Sequence, residues 1–495
     1  MTRWGWPGWR RIGAAFGLGA TMALGQAPLN LWWLAVPALA GVVWLVANSQ
    51  NPRSAAWLGL FAGAGHFALA LSWIVEPFLI DIARHGWMIP FAVVFLSFGL
   101  ALFWASAAGL AALLPKPQRA LGFALTLTLA ELARGTVLTG FPWALIGHIW
   151  IATPLAQLAA LIGPNGLTLL TALVAALPIA YRARGLATSA ALLACVTGFG
   201  LWRLSLPDPA ATHPITLRLV QPNAEQHLKW DPTQARIIFD RQLAFTAAKP
   251  TPDLVIWPET SVPYLFNTSP DAVLAIARAC SGAPVAVGVQ RTEGWRGFNS
   301  MAVILPDGTV SALYDKHHLV PFGEYIPYGD LMADWFGIVA FAAQEGNGYS
   351  PGPAARVLNL GPTLGSVLPL ICYEAVFPQD LRAAPTRPDW ILQITNDAWF
   401  GKINGPYQHL AQAQLRAIEQ GLPLARAANT GISAVIDARG RITASLPLGQ
   451  AAFLDTPLPA AWPAPPYARF GEGAVLVLLA GLALALLRAR KSTSA

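Results

Sequence analysis

Cys372 closes the apolar run L-P-L-I-C-Y-E, Glu259 closes L-V-I-W-P-E-T, and Lys316 opens K-H-H-L-V-P-F-G-E. Each is a reactive side chain at the polar end of a strand-like segment. A thiol with an ordinary pKa of about 8.5 is a poor nucleophile near neutrality until a base takes its proton. Its acyl chemistry also needs a cation or N–H to hold an oxyanion. The three types together supply nucleophile, general base and oxyanion holder, which points to transfer or hydrolysis through a thioester. Taken singly, each has a plainer reading: a buried strand-end cysteine, a helix cap and a solvated hairpin lysine.

The elements that must position these groups are legible between 205 and 470. Short apolar runs separated by turns predict strands at 215–221, 253–257, 284–290, 300–305, 309–314, 366–371, 390–395 and 432–437. Asp307-Gly308 between two of them predicts a hairpin turn. Helices are expected at about 232–248, 270–281 and 406–420. Strands alternating with amphipathic helices argue for a layered α/β fold.

The rest of the chain belongs to a different solvent. Of 495 residues 55% are hydrophobic and only 12% charged, against about 25% charged in an average soluble domain. About eight transmembrane helices are expected, near 11–28, 31–48, 55–75, 88–114, 119–139, 160–181, 186–204 and 473–488. Glu131, Arg134, F-P-W (141–143) and G-P-N-G (163–166) interrupt the region 119–165, where turns or re-entrant pieces are expected.

This divides the chain into three parts: a transmembrane domain over 1–204 with about seven helices, a catalytic domain over 205–470, and a transmembrane helix with a basic tail over 471–495. Arg3, Arg10, Arg11, Arg53, Lys116, Arg119, Arg182, Arg184, Arg488, Arg490 and Lys491 fall on one side of such an arrangement. Only Arg84, Arg134 and Arg203 fall opposite. The positive-inside rule then makes the first side cytoplasmic and puts 205–470 outside, in the periplasm of a Gram-negative cell. A-L-G-Q-A near residue 25 also resembles a signal cleavage site, although a second span follows at once. Residues 205–470 hold 18 Lys and Arg against 21 Asp and Glu, and the remainder 14 against 4. The basic character is thus juxtamembrane, and nucleic acid is not an expected partner.

W-P-E-T, K-x-x-L-V-P-F-G-E-Y-I-P and I-C-Y-E, in that order, resemble the carbon–nitrogen hydrolase (nitrilase) superfamily. T-N-D-A-W-F-G (395–401) and A-N-T-G-I-S-A-V-I-D (428–437) fit as well. With helices on both sides of such a domain, the chain is similar to the membrane-anchored branch that acylates lipoproteins. The resemblance implies an αββα sandwich and a catalytic set of Glu259, Lys316 and Cys372. It places Glu324 beside the triad, Glu374 as a support of the nucleophile loop, and Tyr373, Asn299 and Trp230 around the substrate. It further implies a bacterial inner-membrane, multi-pass, monomeric enzyme. The acyl donor would be a phospholipid, by family precedent phosphatidylethanolamine. The acceptor would be the N-terminal amine of a diacylglyceryl-cysteine apolipoprotein.

No cofactor or metal is expected. Cys195, Cys280 and Cys372 are too few for a disulfide framework, and no Cys/His cluster has ligand spacing. The apolar stretch 331–349 reads as a mobile lid that dips into the bilayer interface. The competing reading is a membrane-tethered amidase or nitrilase acting on a small amide or nitrile, which would gain nothing from such a lid. A non-enzymatic membrane module would need neither the triad nor so few intramembrane charges.

Overall fold

The structure, a computed structural model, describes residues 6–210, 214–326 and 348–492. Except for Gly348 and Tyr349, the stretch expected to form a lid lies outside the described residues. The chain divides into two compact units: Met1–Pro207 with Ile403–Gln420 and Ala464–Ala495, and Asp208–Lys402 with Gly421–Pro463. The helix expected at 406–420 forms as Gly405–Gln420, but it groups with the first unit rather than with the strands on either side of it in sequence.

The first unit is helical. Among the described residues two helices are long and apolar enough to cross a membrane, Ile82–Ala111 and Pro154–Ser205. A third qualifies if Pro52–Ala70 and Ser72–Leu79, bent by 64°, make one broken span. The expectation of about eight spans is corrected accordingly. Trp9–Ala23, Trp32–Ala47 and Arg119–Arg134 contain 15, 16 and 16 residues. At about 1.5 Å per residue they fall short of a hydrocarbon layer of about 30 Å. Ala159–Ser205, part of one long helix in that count, breaks the spiral at Gly163 and at Arg182, whose φ values are 67° and 52°, leaving two long limbs that meet at Arg182. Ser189 Oγ donates to Val174 O at 2.9 Å, so the two limbs fold back on each other.

Hydrogen bonds fix the direction of several helices. Arg11 donates to Leu45 O at 3.0 Å and Arg119 to Ser49 O at 2.8 Å. The start of the first helix, the end of the second and the start of Arg119–Arg134 therefore share one end of the unit. From Gly140 to Trp150 the backbone is irregular yet almost wholly buried, which is tolerated at membrane depth only where protein surrounds it. Trp143 Nε1 donates to Gln408 Oε1 and Trp150 Nε1 to Thr171 Oγ1, both at 2.7 Å. Ala411, Leu415 and Ile418 of Gly405–Gln420 pack into the same core as Ile149, Trp150 and Leu155. Gly163, with φ 67°, lies so close to the Tyr467 ring that a Cβ would come within 2.1 Å of it.

The second unit carries two six-stranded sheets. The first contains β1 (Thr216–Gln221), β2 (Leu254–Ile256), β3 (Val285–Glu293), β4 (Arg296–Ile304) and β5 (Val310–Asp315). The second contains β6 (Leu358–Asn359), β7 (Ser366–Ile371), β8 (Trp390–Thr395), β9 (Leu424–Ala428), β10 (Ser433–Ile436) and β11 (Ile442–Leu446). The last strand, β12 (Ala452–Pro457), joins the first sheet. The orders are β12-β1-β2-β3-β4-β5 and β11-β10-β9-β8-β7-β6. β1, β2 and β3 run parallel, as do β7, β8 and β9.

Continuous apolar runs suit strands covered on both faces, and β8 is buried along its whole length. The helices Pro232–Ala247 and Pro270–Ala279 cover the first sheet. Phe239 and Ile276 pack there with Val255, Trp257 and Val287. Pro369 is tolerated within β7 because β6 pairs only with Ser366 and Val367, so beyond them β7 is an edge.

Candidate active site

Glu259, Lys316 and Cys372 each follow the C-terminal end of a strand. Glu259 lies three residues past β2, Lys316 directly past β5, and Cys372 directly past β7. Two thus come from the first sheet and one from the second, and the structure brings the three expected groups together. Lys316, 1% exposed, donates to Glu324 Oε1 at 2.9 Å and lies 3.7 Å from Glu259 Oε1. Asn299, on β4, bridges the two carboxylates through Nδ2, at 2.7 Å from Glu259 and 3.0 Å from Glu324. Asn396 N donates to Glu259 Oε2 at 2.8 Å, and Val320 N to Glu324 Oε2 at 2.9 Å.

The electrostatics follow from this packing. Burial lowers the Lys316 pKa, but the carboxylates of Glu324 and Glu259 push it well above the ordinary lysine value. It is a fixed ammonium. Burial pushes the Cys372 thiol up, and the Glu259 carboxylate pushes it further. Lys316 and a hydrogen bond with Thr395 pull back only part of that, while Asp397 adds to the rise. The resting sulfur is therefore a protonated thiol beside a carboxylate. Its backbone has φ 52°, a left-handed conformation that costs a non-glycine residue strain and recurs at functional turns. That bend turns the chain from β7 into the one-turn helix Cys372–Val376.

Glu374 stands apart from the Glu259–Lys316–Glu324 cluster. Its Oε1 accepts from Tyr314 OH at 2.8 Å and from the backbone N–H of His317 and His318 at 2.8 and 3.3 Å. Its Oε2 accepts from Ile371 N at 2.7 Å. Burial would raise its pKa, but the His317 hydrogen bond and charge, the Ile371 N–H and Lys316 together hold it below the usual carboxylate value. One carboxylate thus ties the residue after Lys316 to the residue before Cys372.

Tyr373 is buried against His318 and Phe377, with ring centroids at 5.7 and 4.8 Å. Trp230 is half-buried and outside the cluster, although Lys229 Nζ lies 5.7 Å from its ring centroid. Sequence reasoning missed Asn396, Lys229 and Tyr349. Tyr349 N donates to Glu324 O at 2.8 Å, and its hydroxyl pairs with Gln290. Asn396 carried a usable signal, since it follows β8 as the other site residues follow their strands.

Comparison with known proteins agrees with this architecture. Residues 18–177 match the family model described as the apolipoprotein N-acyltransferase N-terminal domain, and residues 208–458 match carbon-nitrogen hydrolase. The chain is 40% identical to an apolipoprotein N-acyltransferase of Rhodopseudomonas palustris, over 98% of this chain and 96% of that one. It is 39% identical to one of Caulobacter vibrioides over the same shares. A solved CN-hydrolase superfamily protein of Xanthomonas campestris is 23% identical, with a TM-score of 0.37, over 50% of this chain and 91% of that chain. By sequence shared along nearly its whole length, the chain belongs to the apolipoprotein N-acyltransferase family.

Proposed function

We propose that this enzyme of lipoprotein N-acylation works by a two-step transfer through Cys372, with Glu259 as base and Lys316 as oxyanion holder. The single observation that carries the reading is the buried Glu259–Lys316–Glu324 cluster with Cys372 in its field. In the first step Glu259 takes the thiol proton while sulfur attacks an ester carbonyl of a phospholipid. An ammonium has three N–H donors. Glu324 and Glu259 leave Lys316 able to aim one at the tetrahedral oxyanion. Collapse breaks the ester C–O bond, Glu259 returns the proton to the departing lysophospholipid oxygen, and an acyl thioester remains.

In the second step the N-terminal amine of a diacylglyceryl-cysteine apolipoprotein attacks that thioester. Glu259 takes the amine proton and gives it to the leaving sulfur, so an amide forms and the thiol is restored. Glu324 keeps Lys316 in place, Asn299 spaces the two carboxylates, and Glu374 clamps the loops that carry Lys316 and Cys372. Tyr373 and Trp230 shape the surroundings of the acyl group.

The same proposal includes phosphatidylethanolamine as donor, a monomeric state, and a multi-pass inner-membrane protein with residues 205–470 in the periplasm. Residues 1–204 and 471–495 would hold it in the membrane. Supporting that orientation, Arg11 and Arg119 bond at one end of the helical unit, as the positive-inside rule requires of a cytoplasmic end.

The test is incubation of the purified protein with acyl-labelled phospholipid and no acceptor. Wild type should become labelled and release lysophospholipid, and the label should be lost to hydroxylamine. Labelling unchanged in Cys372→Ala would exclude the thioester. Release of free fatty acid without amide formation when acceptor is added would favour a hydrolase.

A further inference from the structure

Lys229 is 5% exposed. Its Nζ donates to the Thr260 hydroxyl at 2.5 Å and to the Glu259 carbonyl oxygen at 3.4 Å. An ammonium removed from water without a close counter-ion is costly, and burial, opposed only by the field of Glu259, pulls its pKa down to about 8. The cavity around it is lined by Ala235, Ile238 and Gln242 of one helix, by Pro258 and by Asn429. Among the described residues Glu259 is the one other charged group there.

The turn that Lys229 grips is strained. Thr260 is β-branched, yet its φ is 44°, where such a residue is an outlier unless its surroundings hold it. On the other side β3 presses against the same turn. A Cβ on Gly288 would come within 2.3 Å of Pro258 O and 2.5 Å of Glu259 Cα, and Ser261 N donates to Gly288 O at 2.8 Å. The backbone that carries Glu259 is thus held between a strand that admits no side chain and one buried ammonium.

We propose that Lys229 is a positioning residue for acyl transfer, a role that rests on Glu259 being the base: its ammonium holds the Glu259–Thr260 turn so that the carboxylate stays between Asn299, Asn396 and Lys316. Loss of the charge relaxes the turn, so deprotonation of Lys229 lowers the rate without touching the substrate. Because Trp230 is its chain neighbour, the same contact also fixes the segment that carries that ring.

The experiment measures thioester formation by the full-length protein in phosphatidylethanolamine-containing vesicles, from about pH 6 to 10, the span over which a perturbed lysine changes charge. Wild type, Lys229→Met, Thr260→Ala and Glu259→Gln are compared, each with its Tm. Wild type should lose rate as pH rises through about 8. Lys229→Met should be slower by roughly tenfold to a hundredfold, as expected of a misplaced catalytic group, flat across that interval, and unchanged in KM for phospholipid. Thr260→Ala should lose severalfold and keep the alkaline fall at a lower pH.

A folded Lys229→Met with wild-type rate, or one that keeps the alkaline fall, overturns the proposal. If Lys229→Met does not fold, a Thr260→Ala protein with wild-type rate and profile overturns it instead. A slow Glu259→Gln beside a normal Lys229→Met removes the positioning role alone. A normal Glu259→Gln removes the base and this role with it.

Discussion

Each unit buries a cluster of charge, and the two clusters around Glu131 and around Lys316 are built in opposite ways. In the helical unit Glu131 and Arg134 form a fully buried one-to-one pair, Nη2 to Oε2 at 2.7 Å. Trp104 Nε1 donates to Glu131 at 2.8 Å, and Arg134 also donates to the carbonyl oxygens of Phe141 and Trp143. That pair is closed: each charge has its partner, and the remaining hydrogen-bonding capacity goes to backbone and indole. In the catalytic unit two carboxylates share one ammonium, and the shorter contacts belong to Glu324. Relative to Lys316 the less tightly held carboxylate is Glu259, which lies in the field of the Cys372 thiol and is the base in the proposed transfer. Balance makes a joint, and imbalance makes a reagent.

The contrast can be broken from either side. The largest effect is expected for Glu259→Gln, which keeps the shape and removes the charge. Thioester formation should fall by about 10²–10⁴, the usual span for a lost general base, with Tm held or raised. Rates within a factor of two of wild type would cancel the distinction.

Glu131→Ala should do the reverse, costing about 3–5 kcal/mol by leaving Arg134 buried without its partner. The rate per folded molecule should be retained. Replacing both by Gln and Met should recover most of the Tm loss, and a double variant no better than the single would show that the pair is more than a joint.

The smallest effect concerns His317, whose pKa is raised. Burial lowers it, but the hydrogen bond to Glu374 and the charges of Glu374 and Asp380 outweigh that loss. A group raised in the folded state adds stability that is full below its unfolded value of about 6.5 and lost as pH rises through its folded value. Wild-type Tm should therefore fall over that window by a few degrees at most, since about 1 kcal/mol moves Tm by roughly 2–4 °C in a domain of 150–250 residues. In His317→Gln the decline should vanish, and an unchanged slope would assign it elsewhere.

Strands ending in reactive residues were legible because both signals coincide in sequence. L-V-I-W-P-E and L-P-L-I-C combine strand composition with an abrupt polar stop, and β2 and β7 formed where expected. β9, L-A-R-A-A, was not legible. Alanine is depleted in strands, and Arg426 is accommodated there by a buried pair with Asp397 and a hydrogen bond to Ile432 O that no local pattern announces. The membrane spans were overcounted because hydropathy reports apolar length, whereas helix length depends on where the spiral stops. Lys229 was passed over for a similar reason. A lysine beside a tryptophan reads as surface, and only the third dimension puts its ammonium under the Glu259–Thr260 turn.

The path of the chain through Gly405–Gln420 has a consequence for dissecting the enzyme. The polypeptide leaves the strand unit at Lys402 and re-enters it at Gly421, having lent Ile403–Gln420, with its 16-residue helix, to the other unit. A soluble fragment cut at 208 and 463 would carry that helix away from Trp150 and Leu155 and expose its greasy side to water. The catalytic part is consequently not a detachable cassette: excising it cleanly would mean replacing the helix with a linker, and transplanting it to another anchor would mean transplanting the helix's nest as well.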